Sequence, residues 1–416
     1  MSANISQAQG WGQGAEQEDI SASALQQHRS HYPALNPKAK RAYFNYGGQG
    51  VMCEAALNAI ARGFEQIESL GCFSIAAFQW IEAEKMATRQ AIATELQVSP
   101  NTITLTDSTT TGCNIVLWSV DWQQGDRLLL SDCEHPGIIA IAAQLQTRFG
   151  IEIDYFPLQQ TLNGSDDFVL EAIEQALQPR TRMIAISHIC WNTGQVLPLK
   201  EIGQLCRDRQ VLVVVDAAQS VGVLPLNLAE LGIDFYAFTG HKWWCAPLGL
   251  GGVYVAPEAF AAAQPTFIGW RSIVSGKSSE NRSLPKNYDW RADGQKFEVA
   301  SATYPLYAGL RAAIAHANLW GTQQERYDRI GQLSDRLWHK LAQIPQIDCI
   351  KQAPPKVGLV SFKMLNKASN LVMQQLEVEH QILIRSIPDP DCLRVSLHYL
   401  TTETEIDQLV SVLARF

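Results

Sequence analysis

Two segments decide the fold: Val211-Leu-Val-Val-Val-Asp-Ala-Ala-Gln-Ser220 and Asp234-Phe-Tyr-Ala-Phe-Thr-Gly-His-Lys-Trp-Trp244. In each, an apolar run is followed by a polar turn, which places Asp216 and Lys242 just beyond the apolar residues. Continuous apolar runs are typical of parallel strands that helices cover on both faces. Ligands bind at the carboxyl edge of such sheets, so we expect Asp216 and Lys242 to lie together there.

Helical periodicity and short apolar runs alternate from about residue 43 to residue 255, which favours an α/β fold. We predict a large domain with a mainly parallel sheet flanked by helices, followed by a smaller α+β domain. The expected bounds are 1–35 for a flexible N-terminal tail or arm, 36–300 for the large domain and 301–416 for the small one.

Further elements are expected in the second half of the chain. The stretch 276–287 has no apolar pattern and is expected to be an exposed loop. A long amphipathic segment is predicted at 306–341, and strands are predicted at 357–363, 382–384 and 393–398. Thr402 and Glu405 form a capping-box pattern, which predicts that the last helix begins there.

Composition excludes several classes of protein. The 416 residues are 46% hydrophobic and 18% charged, which is globular composition. The net charge of -8 gives no support to binding of nucleic acid or anionic membranes. No apolar run is long enough to span a bilayer. The nine cysteines are scattered and never in Cys-x-x-Cys spacing, so we expect free thiols in the cytoplasm and no metal site.

The pairing of Lys242 with Asp216 points to a specific cofactor. A lysine just after an apolar strand is poorly solvated, which favours a lowered pKa and a nucleophilic amine. Pyridoxal 5'-phosphate (PLP) chemistry needs a lysine that binds the cofactor and an acid that keeps its ring nitrogen protonated. Taken singly, Lys242 fits a solvated surface group and Asp216 fits a turn cap, but together they favour a PLP site. A Thr-rich helix start at 106–112 suits the phosphate dianion.

These segments resemble class V of the fold-type-I PLP enzymes, the aminotransferase and cysteine desulfurase superfamily, from about residue 43 to the C-terminus. The resemblance implies that Lys242, Asp216 and His135 are catalytic, with His135 stacked on the cofactor ring. The alternative for His135 is a helix-capping or core histidine. Ser301 would approach the phosphate from the partner subunit of a homodimer. The cofactor-binding residues implied by the resemblance are Thr109, Thr110, Asn192, Asp216, Gln219, Thr239, His241, Lys242 and Ser301.

An amino-acid substrate needs an anchor for its carboxylate, and the planar fork of arginine provides two parallel hydrogen bonds. Arg394 lies in a strand-like run and matches the carboxylate-binding arginine of the family. Arg385 is either a second anchor or part of a structural salt bridge. Resemblance to the cystine/cysteine C–S lyase branch adds Trp270, Gly48 and Asn192 to the substrate side, although Trp270 fits interface packing equally well.

Cys392 bears on which reaction follows. A cysteine desulfurase uses a thiol on a mobile loop, whereas Cys392 stands two residues from Arg394 on the same expected strand, after Pro388 and Pro390. We therefore predict a C–S lyase that performs β-elimination on cystine or cysteine-type amino acids to give pyruvate, ammonia and a persulfide or sulfide.

Several alternatives stay open at this point. A desulfurase, an epimerase or an aminotransferase of the same class shares the same site, and a non-catalytic PLP-binding protein is disfavoured by the full set of anchors. The persulfide is expected to be able to serve iron–sulfur assembly through an acceptor protein. His188 is either a residue supporting the site or a structural one.

Overall fold

The computed structural model describes residues 23–36, 41–274 and 290–416. Along this part of the chain, the strands are β1 (Ala42–Tyr43), β2 (Ile103–Thr106), β3 (Arg127–Ser131), β4 (Glu152–Phe156), β5 (Thr181–Ser187), β6 (Leu212–Asp216), β7 (Phe235–Thr239), β8 (Gly251–Val255), β9 (Ile347–Cys349), β10 (Leu359–Met364), β11 (Ile382–Leu383), β12 (Arg385–Pro388) and β13 (Asp391–Ser396).

The main helices flank these strands, and residues 23–29 are also helical. They are α1 (Glu54–Ser69), α2 (Ile75–Leu96), α3 (Thr109–Leu117), α4 (Pro136–Phe149), α5 (Asp166–Ala176), α6 (Leu199–Arg207), α7 (Pro305–Trp320), α8 (Gln323–Leu341), α9 (Ser369–His380) and α10 (Glu403–Leu413). Among the described helices, none combines the length and the apolarity that a bilayer crossing requires.

The central sheet has seven strands in the order β2-β8-β7-β6-β5-β3-β4. Only β8 runs against its neighbours, so the sheet is mainly parallel, as the sequence predicted. Strands β5 to β8 are almost wholly buried because helices cover both faces. In the register of β5, β6 and β7, Ser187 lies beside Asp216, and Asp216 lies beside Ala237. The strand ends that carry the polar turns therefore meet at one edge.

A second, antiparallel sheet has the order β12-β13-β10-β9 and shares an apolar core with α8, α9 and α10. The short parallel pair of β1 and β11 joins the segment before Gly47 to this part of the chain. We propose that 36–300 and 301–416 are the two domains, because each holds one of the two larger sheets. The buried clusters cross this boundary, since Leu310 and Ile314 of α7 pack in the cluster of the central sheet. The capping box of α10 is confirmed, since the Thr402 hydroxyl accepts the Glu405 N–H.

The amphipathic segment predicted at 306–341 is helical, but a break around Gly321 divides it into α7 and α8. A second capping box, in which Thr322 accepts the Glu325 N–H, starts α8. The short strands β2 and β4 and the helix α6 were not predicted. Strand β4 alternates polar and apolar residues at the sheet edge, so it lacks the apolar run that identifies the central strands.

The flexible-tail prediction for 1–35 does not hold for the described part, 23–35. Tyr32 is buried, and its hydroxyl lies 3.2 Å from that of Tyr399. Arg29 forms an ion pair with Glu405, with 2.8 Å between Nη2 and Oε1. These contacts fix the segment against α10 and the turn before it. Residues 1–22 and the predicted loop at 276–287 lie outside the described residues.

Candidate active site

A cavity of about 230 Å³ opens at the carboxyl edge of the central sheet. Strand β6 supplies Asp216, the turn after β7 supplies Lys242, and α3 points its N-terminus at the cavity. The predicted residues that line it are Thr109, Thr110, His135, Asp216, Gln219, Thr239, His241 and Lys242. The structure therefore brings together residues from four separate segments of the chain, as the sequence predicted.

Lys242 lies inside the cavity, where the surrounding protein removes most of its hydration. Burial lowers the pKa of Lys242 to about 8, Asp216 opposes this shift, and Arg394 and Arg385 add to it. A pKa of about 8 leaves an appreciable fraction of the amine neutral at neutral pH. The side chain can therefore act as a nucleophile and as a base.

One end of the cavity suits a phosphate group. The Thr109 hydroxyl is buried and has no hydrogen-bond partner among the described residues. Thr109 and Thr110 are the first residues of α3, whose N–H groups have no partners within the helix. The Thr239 hydroxyl lies 2.7 Å from Nδ1 of His241. Burial, followed by the charge of Lys242, lowers the pKa of His241 to about 4, so this imidazole is neutral.

His135 precedes α4 and caps it, because its Nδ1 accepts the Gly137 N–H at 3.1 Å. An acceptor nitrogen carries no proton, so the neutral ring is protonated at Nε2. Desolvation lowers the pKa of His135, with Asp216 opposing and Lys242 adding to the shift. The ring meets Trp191 edge-on, with 5.5 Å between centroids. His135 is therefore held as a neutral ring beside the cavity.

The amide of Gln219 links the cavity wall to the segment that contains Gly48. Its Nε2 donates to the Gly47 carbonyl at 2.9 Å, and its Oε1 accepts the Trp243 indole N–H at 2.8 Å. One N–H of Gln219 is left for another acceptor. Gly48 does not line the cavity; a Cβ there would come within 2.8 Å of the Asn45 side chain.

Arg394 and Arg385 stand directly opposite each other on β13 and β12. Like charges in that position destabilise a sheet. Among the described residues neither guanidinium has a carboxylate partner. Arg394 is buried, its Nη1 donates to the Trp191 carbonyl at 2.6 Å, and its Nε has no partner. Arg385 is exposed. Neither arginine lines the Lys242 cavity, but the charges of both act on Lys242.

Asn192 lies next to this pair but does not line the cavity. Its Nδ2 donates to the Asp389 carbonyl at 3.3 Å, and its Oδ1 is buried without a partner. The Ser361 hydroxyl donates to the Asn192 carbonyl at 2.6 Å. The unpaired Oδ1 of Asn192 and the unpaired Nε of Arg394 leave one acceptor and one donor for a polar ligand.

Ser301 and Trp270 do not line the Lys242 cavity of the same chain. Both line a separate, largely apolar cavity together with Phe73. The side chain of Trp270 is 55% exposed and stacks on Arg271, whose guanidinium carbon is 4.3 Å from the ring centroid. Their expected contact with a partner subunit's site stays a prediction.

Cys392 lies on β13 with Arg394, as expected, and is fully buried. Burial raises the pKa of its thiol to about 11, with Arg394 opposing.

His188 is also buried, and its Nδ1 is 2.8 Å from the Tyr236 hydroxyl. Burial lowers the pKa of His188 to about 3, and the side chain does not reach the cavity. These contacts favour the structural alternative for His188.

The cavity has further lining residues that the sequence motifs did not indicate. Ser108, Ser187, Ile189, Trp191 and Ala218 also line it. Trp191 directly precedes Asn192 in a segment that follows a buried strand. This position in the sequence could have indicated that Trp191 lies at the cavity. Its indole Nε1 is buried without a partner, which makes it a further donor for a ligand.

Comparison with known proteins gives consistent matches. A family model described as aminotransferase class-V matches residues 43–409. The structure of the complex between the cystine C–S lyase C-DES and its reaction product cysteine persulfide is 46% identical, with a TM-score of 0.87 over 92% of this chain and 99% of that chain. A lysine-to-alanine mutant of C-DES with glycine covalently linked to the PLP cofactor is 45% identical, with a TM-score of 0.88 over 93% and 99%.

More distant relatives have other activities. An isopenicillin N epimerase from Amycolatopsis lactamdurans is 27% identical over 339 residues, which are 78% of this chain and 83% of that protein. A probable cysteine desulfurase from Methanothermobacter thermautotrophicus is 27% identical over 338 residues, which are 77% and 80% of the two chains.

Proposed function

We propose that this chain, which belongs to the aminotransferase class-V family, is a PLP-dependent C–S lyase acting on cystine and related sulfur amino acids. The family and the fold are those that the sequence motifs predicted. The observation that favours elimination over desulfuration is the position of Cys392, a buried strand residue whose thiol stays protonated. Among the described residues, no cysteine lines the Lys242 cavity.

The residues in the cavity fit PLP. The unpaired Thr109 hydroxyl and the α3 N-terminus suit its phosphate, with Thr110, Thr239 and His241 beside them. When bound, PLP supplies an electron sink for the negative charge left on Cα after the substrate loses a proton. Asp216 would hold the proton on the ring nitrogen.

Other residues orient the ring. Gln219 has one N–H available for the ring hydroxyl, and His135 would lie against the ring face. We propose that Ser301 adds a phosphate contact from the partner subunit.

Proton transfer at Cα falls to Lys242. Its pKa of about 8 allows the amine to accept a proton near neutral pH. His135 cannot readily do the same, because protonating its Nδ1 would break the bond with the Gly137 N–H that caps α4. We therefore assign the base to Lys242 and a packing role to the neutral ring of His135.

The two arginines select the substrate. Arg394 offers an unpaired Nε beside the cavity-lining Trp191, and Arg385 stands across from it at the exposed side. A substrate carboxylate placed between them relieves the repulsion of two adjacent cations. We propose that Asn192, which follows the cavity-lining Trp191, accepts a hydrogen bond from the substrate through its unpaired Oδ1.

The overall reaction breaks the bond between Cβ and sulfur. The sulfur leaves with the bonding electrons, and the three-carbon remainder takes up water to give pyruvate and ammonia. For cystine the balance is cystine plus water to cysteine persulfide, pyruvate and ammonia. We propose that the persulfide serves iron–sulfur assembly through an acceptor protein in the cytoplasm.

A panel of amino acids scored for pyruvate, alanine and persulfide tests this function. We expect pyruvate and persulfide from cystine, no alanine, and less than a twofold change in turnover in Cys392→Ser, because a buried protonated thiol takes no part. Alanine formed with persulfide, and lost in Cys392→Ser, would instead identify a desulfurase. Racemised substrate would identify an epimerase, and a requirement for a keto acid would identify an aminotransferase.

We propose a homodimer with its sites at the interface. Ser301 and Trp270 lie away from Lys242 in one chain, and the apolar side chains near them include Phe73, which is 87% exposed. A surface of this kind favours a protein contact. Sedimentation of the holoenzyme should give twice the chain mass of 46.1 kDa. A monomer with full cystine activity would contradict the shared site.

A further inference from the structure

The buried carboxyl of Glu134 lies beneath the cavity and has no role in the reaction described above. Only 4% of Glu134 is exposed. Its Oε1 accepts from the Ser131 hydroxyl and from the Ser187 N–H at 3.3 Å. Its Oε2 accepts from the Ser187 hydroxyl at 2.8 Å. Three donors therefore converge on one carboxyl.

These donors place Glu134 between two strand ends of the active edge. Ser131 ends β3 and Ser187 ends the neighbouring parallel strand β5. Ser187 lines the cavity and pairs in register with Asp216 on β6. Glu134 also directly precedes His135 in the chain. The carboxyl is thus one hydrogen bond away from the cavity wall and one strand away from Asp216.

The charges that face Glu134 are unusual for a buried acid. Among the described residues it forms no ion pair with a basic side chain. The titratable groups facing it are Asp216 from β6, Cys113 from α3 and Cys190 from the segment after β5. Burial raises the pKa of Glu134 to about 7, the serine hydrogen bonds oppose this, and Asp216 adds to it. The Glu134 carboxyl therefore carries a proton in mildly acidic solution.

We propose that Glu134 is a positioning residue that fixes Ser187 and the turn carrying His135, and whose ionisation adds a second negative charge behind Asp216. This inference rests on the proposed function. The added charge strengthens the hold of Asp216 on a proton at the cofactor ring, since Coulomb interactions are strong where water is excluded. It does so only at pH values above the titration of Glu134.

The test compares Glu134→Gln with the wild-type holoenzyme at pH 6 and pH 8. The isosteric amide keeps the shape but cannot ionise. We expect turnover of cystine to fall about tenfold at pH 8 and less than twofold at pH 6. Glu95→Gln, which alters a buried acid outside the cavity, should give the same ratio to wild type at both pH values. An equal loss at pH 6 and pH 8 in Glu134→Gln would overturn the proposal.

Thermal unfolding of the same holoenzymes gives a readout that does not depend on the reaction. A carboxyl whose folded pKa is raised costs stability as pH rises from its unfolded pKa of about 4.5 to its folded value of about 7. The Tm of Glu134→Gln relative to wild type should therefore be higher at pH 8 than at pH 5. A Tm difference that is independent of pH would overturn the charge assignment.

The two readouts separate the inference from the proposed function. Suppose that cystine gives no pyruvate but the Tm difference between Glu134→Gln and wild type still depends on pH. The lyase function and the effect of Glu134 on turnover would then be wrong, whereas the ionisation of Glu134 would be supported. If Glu134→Gln fails to fold, Ser187→Ala provides the second variant. This variant removes a donor to the ionised carboxyl, which should raise the pKa of Glu134 further. The pH at which turnover changes should therefore rise, and an unchanged pH would contradict the proposal.

Discussion

Replacing Lys242 by alanine is expected to abolish cystine turnover and the absorption that arises from the covalent bond between the lysine and the cofactor, while leaving the fold intact. The amine is the only basic side chain on the described cavity wall that combines a pKa of about 8 with a place beside Asp216. We expect kcat to fall by about 10⁴-fold or more, the upper end of what one positioned proton-transfer group contributes.

The control for this variant is Lys351→Ala. Lys351 is also partly buried, with a pKa lowered mainly by desolvation, but its amine donates to the Leu162 carbonyl at 3.2 Å, outside the cavity. It should keep both the absorption and the turnover. Circular dichroism of the Lys242→Ala protein should match wild type. A coloured and active Lys242→Ala enzyme would contradict the assignment of the base and of the cofactor attachment.

The strand ends show how much of the site the sequence could predict. Asp216 and Lys242 were predictable because each follows an apolar run that only a buried parallel strand explains. Their meeting at one edge then followed from parallel topology. By contrast, the placement of Arg385 opposite Arg394 depends on the register of the β12–β13 hairpin. Register depends on the tertiary structure, so the sequence alone could not decide whether Arg385 is a substrate anchor or part of a structural ion pair.

Packing between distant segments explains the remaining differences. The described part of the N-terminal segment was predicted to be flexible because it lacks apolar periodicity, yet Tyr32 and Arg29 find partners near residue 400. Glu134 was likewise hidden, because nothing in the sequence shows that Ser131 and Ser187 end neighbouring strands. Contacts of this kind become visible only when the order of the strands is known.

Replacing Arg394 by lysine is expected to lower kcat/KM for cystine by about 10²- to 10³-fold, mainly through KM. Lysine keeps the charge but lacks the planar fork, so it loses the paired hydrogen bonds to a carboxylate. It also loses the bond from Nη1 to the Trp191 carbonyl. A hydrogen bond to a charged group is worth about 1.5–3 kcal/mol, so the loss of one or two of them gives a decrease in this range.

The exposed partner should matter less. Arg385→Lys keeps a cation at the solvent side of the pair, so we expect a loss of about tenfold or less. Arg336→Lys alters an arginine that pairs with Asp407 far from the cavity and should be neutral. Steady-state kinetics on the three variants decides the order. If Arg394→Lys and Arg336→Lys behave alike, Arg394 does not hold the substrate. If Arg385→Lys lowers kcat/KM more than Arg394→Lys does, the substrate carboxylate binds at the exposed side, away from Trp191.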